Sequence, residues 1–358
     1  VRKYVTLLLS LILILALLSA CTTGSASSLA PTSATPPAES AKTPAESVAT
    51  PAAPQPAAFP VTVTDQLGRS VTLEQKPQRL VSGYYISSSL LIALGLEDQL
   101  VGIEAKASQR PIYAKSAPEL LDLPNVGTAK DFSIEGTLAL EPDLVILPAR
   151  LKDAIETLSG MGLTVLAVNP ENGDLLAETI RLVGQATGTT ERAEALLAQS
   201  DVLAQKAQSF AAAAESPAKR VYLAGNSALL STAGPAMYQS TLLASVGADN
   251  VATELKDTYW AEISYEQLLA WQPDLIVLVP EAVYSVEDVL ADPALADLTA
   301  VKNKQVYQIP RDYEAWDSPV PSGVLGQLYL ASILYPDQYS QADFEQDVSD
   351  FYQEFYGF

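Results

Sequence analysis

The sequence predicts an α/β protein of two similar lobes, each built on a central parallel sheet and joined by a long helical segment. Three observations predict it. Helix-type periodicity alternates with short, continuously apolar runs such as "DLVILP" and "DLIVLVP", the pattern of strands covered by helices on both faces. Between Asn169 and Pro217 apolar residues keep a three- and four-residue spacing with no strand among them. The chain also repeats itself. "SIEGTLALEPDLVIL" (Ser133 to Leu147) returns 131 residues later as "SYEQLLAWQPDLIVL" (Ser264 to Leu278). That interval is too wide for a stacked repeat of about 20–50 residues. A second echo, "LLIALGLED" from Leu90 and "TLLASVGADN" from Thr241, comes in the same order, and two lobes of similar build explain both.

The elements follow in order. "VRKYVTLLLSLILILALLSAC" has a basic start, an apolar run from Val5 to Leu18 and a small-residue exit, which marks residues 1–20 as a secretion signal. The run is shorter than the ~20 residues a spanning helix needs. Residues 21–59 are rich in Ala, Pro, Ser and Thr and read as a disordered, Pro-stiffened linker. The first lobe is expected over 60–171. "VTVTDQLGRSVTLEQ" is a hairpin turning at Gln66-Leu67-Gly68. "RLVSGYY" is a strand, and "SSSLLIALG" a helix with Ser87 or Ser88 as N-cap. "LVGIEA" is a strand and "NVGTA" a short strand or turn. "SIEGTLALE", "DLVILP", "LKDAIETLSGMG" and "TVLAV" alternate helix and strand. Residues 172–216 form the helical connection, broken at Gly188. The second lobe, 217–358, runs through the strand "RVYLAG", a helix ending at Gly247, "SYEQLLAWQ", the strand "DLIVLVP", the helical "SVEDVLADPAL", the strand "KQVYQIP" and two closing helices.

Composition narrows the chemistry. The chain has no His and a single Cys, Cys21. Ser-His-Asp and Cys-His sites, the common zinc sites and the usual general base are therefore absent. No Gly-rich phosphate loop occurs. A carboxylate-only hydrolase stays chemically open, but no acidic pair stands out. The expectation is a protein that is not an enzyme and carries no resident cofactor. A net charge of −21 argues against nucleic acid and against an anionic membrane surface as partners. Open parallel sheets receive ligands beyond the carboxyl ends of their strands, where helix N-termini offer free N–H groups.

At this point the residues carry a resemblance. "LSAC" (Leu18 to Cys21) resembles the lipobox of bacterial lipoproteins, which implies lipidation at Cys21. "TVTDQLGRSVTLEQKPQRLVSGYY", "LLIALGLEDQLVGI", "SIEGTLALEPDLVIL", "GADNVA…WAEISYEQLLAWQPDLIVL" and "VKNKQVYQIP" together resemble substrate-binding lipoproteins of ABC importers. The subgroup is the one for iron–siderophores, haem and cobalamin. The resemblance runs from about Val61 to the C-terminus. It implies two Rossmann-like lobes, a ligand cleft between them and one long helix as backbone, from which the Gly188 break departs. It also implies an extracytoplasmic monomer, lipid-anchored to the cell membrane, that docks on a permease dimer through Glu135 and Glu266. Both acids follow a serine, Ser133 and Ser264, and helix capping alone would equally place them there.

Candidate ligand-binding residues lie on loops after strands. In the first lobe they are Tyr84, Tyr85, Ser87 and Ser88, then Lys106, Arg110 and Tyr113, then Lys130 and Arg150. In the second they are Asn226, Ser227, Met237 and Tyr238, then Tyr259 and Trp260, then Arg311, Tyr313 and Trp316. Aromatic faces supply flat contact area, and Arg and Lys pair with carboxylates or phenolates. A ferric siderophore or similar chelate suits this mixed set first. A corrinoid comes second, with Trp260 and Trp316 as walls. Haem comes third, with Tyr84, Tyr85, Met237 or Tyr238 as axial ligand. Iron or cobalt would then arrive with the ligand. A tethered sensor or adhesion module without a permease is the alternative of another class.

Overall fold

The computed structural model describes residues 59–128, 130–214, 217–255 and 259–358; the expected signal segment 1–20, the expected lipidation site Cys21 and the expected linker up to residue 58 lie outside the described residues. The fold opens on the expected hairpin, β1 (Val61–Thr64) and β2 (Ser70–Leu73). Its turn needs a left-handed residue, and Gly68 supplies φ +78°. Asp65, 3% exposed, holds the turn together. Its carboxylate accepts from the N–H groups of Leu67, Arg69 and Ala167, and from the Arg69 guanidinium at 2.6 Å.

The first sheet is wholly parallel. It contains β3 (Leu80–Ser82), β4 (Leu100–Gly102), β5 (Leu144–Pro148) and β6 (Val165–Val168) in the spatial order β4-β3-β5-β6. Its connections carry α1 (Tyr85–Ala93), α2 (Pro111–Ser116), α3 (Ile134–Ala139) and α4 (Lys152–Gly160). Every residue of β5 and β6 is buried, which is why these strands read as unbroken apolar runs. One expectation is corrected: α1 is capped by Tyr84 without a side-chain bond, and Ser87 and Ser88 lie inside the helix, buried. The tight passage from β3 to α1 through Gly83 starts the helix earlier than serine placement suggests. A Cβ at Gly83 would come within 2.4 Å of Leu147 Cδ2.

The connection between sheets is two helices, α5 (Gly173–Thr187) and α6 (Thr190–Ala213). Gly188, at φ +69°, ends the first. The 24 residues of α6 give a rod of about 36 Å at 1.5 Å per residue.

The second sheet has β7 (Arg220–Ala224), β8 (Ser231–Ala233), β9 (Asp249–Asn250), β10 (Trp260–Glu262), β11 (Leu275–Leu278) and β12 (Val306–Gln308). The order is β10-β8-β7-β11-β12, with β9 also on β7. The pairs β7–β11 and β11–β12 are parallel, as expected, and the two-residue β9, which the sequence reading did not include, also lies parallel to β7. The antiparallel β8 and β10 were not expected. At three residues each they are too short to show a period of two. The helices are α7 (Tyr238–Ser245), α8 (Tyr265–Trp271), α9 (Val286–Ala291), α10 (Thr299–Lys302), α11 (Val324–Leu334) and α12 (Gln341–Tyr356). α6 lies against α11. The repeated sentence is α3–β5 in one lobe and α8–β11 in the other, and the second echo is α1 and α7.

Candidate functional site

The loops that follow the parallel strands converge from both lobes on a cavity of about 590 Å³. The first lobe supplies Tyr85, the opening residue of α1, and the segment from Gln109 through Tyr113 to Lys115. The second supplies Pro280 and Glu281 just past β11, then Arg311 to Ala315 and Val320 past β12. The strand-end rule for open α/β sheets thus places the cleft in both lobes.

Three cations border it: Arg110, Lys115 and Arg311. The Arg110 guanidinium lies 4.2 Å above the Tyr85 ring. Its Nη1 is 3.5 Å from Glu281 Oε1 on the opposite lobe. Lys115 Nζ sits 5.1 Å from the Tyr313 ring centroid and 5.7 Å from that of Phe358. These cation–ring contacts hold long side chains over aromatic faces while leaving N–H groups to donate.

Two buried acids sit behind this wall. Glu104 accepts from Tyr113 Oη at 2.7 Å and from Ser88 Oγ. Glu314 accepts from Ser322 Oγ and, at 3.3 Å, from Tyr356 Oη. Burial pushes both carboxyls above the usual range, against the pull of those hydrogen bonds. Asp317, also buried, is pushed up to about 6, chiefly by burial; a hydrogen bond from Gln239 opposes the shift and the charge of Glu281 adds to it. Burial likewise raises Tyr85 and Tyr113, so these phenols stay neutral donors.

The structure brings Tyr85, Arg110, Tyr113, Arg311 and Tyr313 of the sequence-derived set to this cavity. Tyr84 lies beside it, buried, edge-on to Tyr85 at 5.2 Å and covered by the Arg150 guanidinium at 4.9 Å. Ser87 is 1% exposed, and its Oγ has no hydrogen-bond partner among the described residues. Lys106 and Lys130 are exposed and away from the lining. So are Asn226, Ser227 and Tyr259, the last 77% exposed. Met237 and Tyr238 are half-buried at the start of α7. Trp260 is half-buried on β10 beside Gly225. Trp316 is a correction: it is 1% exposed and is core, not a cleft wall. Its Nε1 donates to Tyr352 Oη at 2.9 Å, and its ring stacks on Tyr313 at 5.8 Å and meets Phe344 edge-on at 6.0 Å. The aromatic residues that bury it come from α12, which local sequence around Trp316 does not announce.

Sequence reasoning missed Glu281, Lys115, Asp312 and Glu314. Glu281 could have been found by the rule already in use, since it stands three residues past β11. Lys115 lies in the last turn of a short helix, where a cation reads as dipole compensation.

The sequence signature described as Periplasmic binding protein matches residues 80–313 of this chain. The chain is 27% identical over 322 residues to the molybdate-binding protein MolA of Haemophilus influenzae, covering 82% of this chain and 90% of that one. A solved structure of MolA bound to molybdate superposes with a TM-score of 0.72 at 25% identity, over 83% of this chain and 98% of that one. The cobalamin-binding protein of Halobacterium salinarum is 26% identical over 268 residues, 71% of this chain and 70% of its own. A periplasmic solute binding protein from Veillonella parvula has a TM-score of 0.74 at 23% identity, over 83% and 93% of the two chains.

Proposed function

The chain belongs to the periplasmic binding protein family, and from that premise we propose that it binds an anionic iron chelate, a ferric siderophore or similar complex, between its lobes and delivers it to the permease dimer of an ABC importer. The observation that carries this reading is the trio Arg110, Lys115 and Arg311, drawn from both lobes around one cavity of about 590 Å³. That volume falls within the ~300–1,000 Å³ of small-molecule sites. Neutral Tyr85 adds a hydrogen-bond donor, which suits the oxygen-rich rim of a chelate. The burial of Trp316 removes one of the two walls proposed for a corrinoid.

A second reading, an oxyanion, is favoured by the likeness to the molybdate-binding protein MolA. The same cations would serve it, with the lobes drawn closer around a smaller guest.

In this reading the lobes are residues 60–171 and 217–358, joined by 172–216, and Cys21 carries the lipid that tethers a monomer outside the membrane. Glu135 and Glu266 are the docking acids. Both are exposed in the first turns of α3 and α8, at matching positions of the repeated unit. A tethered sensor would need neither acid.

Tryptophan fluorescence tests the ligand class, because Trp316 stacks on the cleft residue Tyr313. Titration with ferric citrate, a ferric tris-catecholate, molybdate, cobinamide and haemin should give micromolar or tighter saturation with an iron chelate. Saturation by molybdate alone would favour the oxyanion. Saturation by cobinamide or haemin alone would move the assignment to that class, and no saturation by any would overturn the proposal.

A further inference from the structure

Arg110 is the one cleft cation already engaged by an acid. Among the described residues neither Lys115 nor Arg311 forms an ion pair. Arg110 meets Glu281 at 3.5 Å, and the two residues belong to different lobes. Both border the cavity. The guanidinium is fixed on one side by the Tyr85 ring at 4.2 Å and keeps 28% of its side-chain surface exposed, while Glu281 keeps 63%. Glu281 is therefore largely exposed to solvent, and its parting from Arg110 costs little. The other acids around Arg110, Glu104 and Glu314, are fixed in the interior by hydrogen bonds from Ser88 and Tyr113 and from Ser322 and Tyr356. Neither has freedom to move away.

We propose that Glu281 is an internal stand-in for the ligand's anionic group: it holds Arg110 across the open cleft, and the cleft selects guests whose own anionic oxygen displaces it. This rests on the anionic-ligand reading above and adds a residue to it. A guest without an anion leaves the Arg110–Glu281 pair intact and finds the space between the lobes crossed by it. A guest with one exchanges an ion pair for another, and its surplus affinity comes from Lys115 and Arg311. Specificity then comes partly from a competitor built into the site, a penalty against the wrong guest as well as an attraction to the right one. The same exchange replaces a direct lobe–lobe contact by one through the ligand, so occupancy and lobe spacing are coupled.

The test is a double-mutant cycle. Binding of a ferric tris-catecholate and of molybdate is measured by calorimetry, at low and high salt, for wild type, Glu281→Gln, Arg110→Gln and the double variant. Removal of an exposed competitor should tighten binding about two- to fivefold, more at low salt. In the Arg110→Gln background the Glu281 change should have no effect. Unchanged or weakened binding in Glu281→Gln, with wild type binding normally, overturns the inference and leaves the anionic-ligand reading standing. If wild type binds neither anion, that reading fails and the inference fails with it. Spin labels at Lys152→Cys and Asp337→Cys in a Cys21→Ser background report the lobe spacing. Glu281→Gln should broaden that distance distribution, and an unchanged distribution overturns the inference that the pair holds the lobes across the cleft.

Discussion

Ser89 Oγ and Tyr356 Oη lie 2.9 Å apart, both residues buried and 267 positions apart in sequence. The bond joins α1 of the first lobe to the end of α12. It does not act alone. Ser116 Oγ donates to the Tyr356 carbonyl at 2.7 Å. Arg192 donates from Nε to the Ala93 carbonyl at 2.6 Å, and from Nη2 to the carbonyls of Glu354 and Phe355 at 3.1 and 3.2 Å. The last helix of the second lobe is thus stitched to the first lobe and, through Arg192, to the helical connection.

Tyr356→Phe removes a donor from the buried Glu314 and the partner of Ser89. A buried polar group left unpaired costs about 1–3 kcal/mol. Urea unfolding should show the midpoint lowered accordingly with the slope unchanged; a midpoint equal to wild type would show that the bond contributes nothing net.

Asp317 gives a pH signature. Its carboxyl is pushed up to about 6 in the fold, against about 3.9 in an unfolded chain. Between those values the folded protein keeps a proton that the unfolded chain has released. Stability from this group is therefore full below about pH 4 and is lost as pH rises through about 6. Two units correspond to about 3 kcal/mol at most. Asp317→Asn should raise the melting temperature at pH 7 and flatten its decline between pH 4 and 6. An unaltered slope would mean the carboxyl titrates normally.

The repeated segment carries two capping serines and the two acids proposed for docking, and mutation separates them. Ser133 Oγ accepts from the Gly136 N–H at 3.0 Å, and Ser264 Oγ from the Gln267 N–H at 3.2 Å, so both serines cap their helices. The Glu266 carboxyl is held below its usual range by its hydrogen bond with Ser264 and its own backbone N–H. Ser133→Ala and Ser264→Ala should each cost about 1 kcal/mol of stability, and the two losses should add, since they lie in different lobes. Glu135→Lys with Glu266→Lys should leave ligand affinity as in wild type and reduce cellular uptake of the ligand severalfold or more. Intact uptake would remove both acids from permease docking.

Much of the fold was legible because it is carried by local signals. β5 and β11 are buried on both faces and read as apolar runs. Gly188 and Gly247, both at positive φ, mark ends of helical stretches. The short antiparallel β8 and β10 were not legible, because three residues carry no periodicity. The cleft was half legible. Position after a strand found Tyr85, Arg110, Arg311 and Tyr313, but the same rule also selected Asn226 and Tyr259, which do not line the cavity. Trp316 misled because its surroundings are assembled from Phe344 and Tyr352 of α12. A side chain looks like a wall until the remote element that covers it is placed. Glu281 stands just past β11 as the other candidates stand past their strands, but the residue types taken as candidates were cations, aromatics, neutral polar residues and Met237.

Gly326 tests how closely that aromatic layer is coupled to the cleft. It lies on α11, and a Cβ there would come within 2.5 Å of the Trp316 carbonyl oxygen. The obstacle is backbone, so it has no rotamer in which to retreat. On helix propensity alone Gly→Ala in a helix gains about 1 kcal/mol, but overpacking of a tight core costs about 1–3 kcal/mol. The second effect should win, and Gly326→Ala should be destabilised. Moving the Trp316 backbone also moves Tyr313, whose ring stacks on it and borders the cavity, so ligand affinity should fall with stability and tryptophan emission should shift. Gly160, at the end of α4, has nothing within 4 Å of its would-be Cβ. Gly160→Ala should therefore be neutral or stabilising by a few tenths of a kcal/mol and leave affinity unchanged. If both variants behave alike, the contact at Gly326 yields without cost and the aromatic layer does not position the cleft.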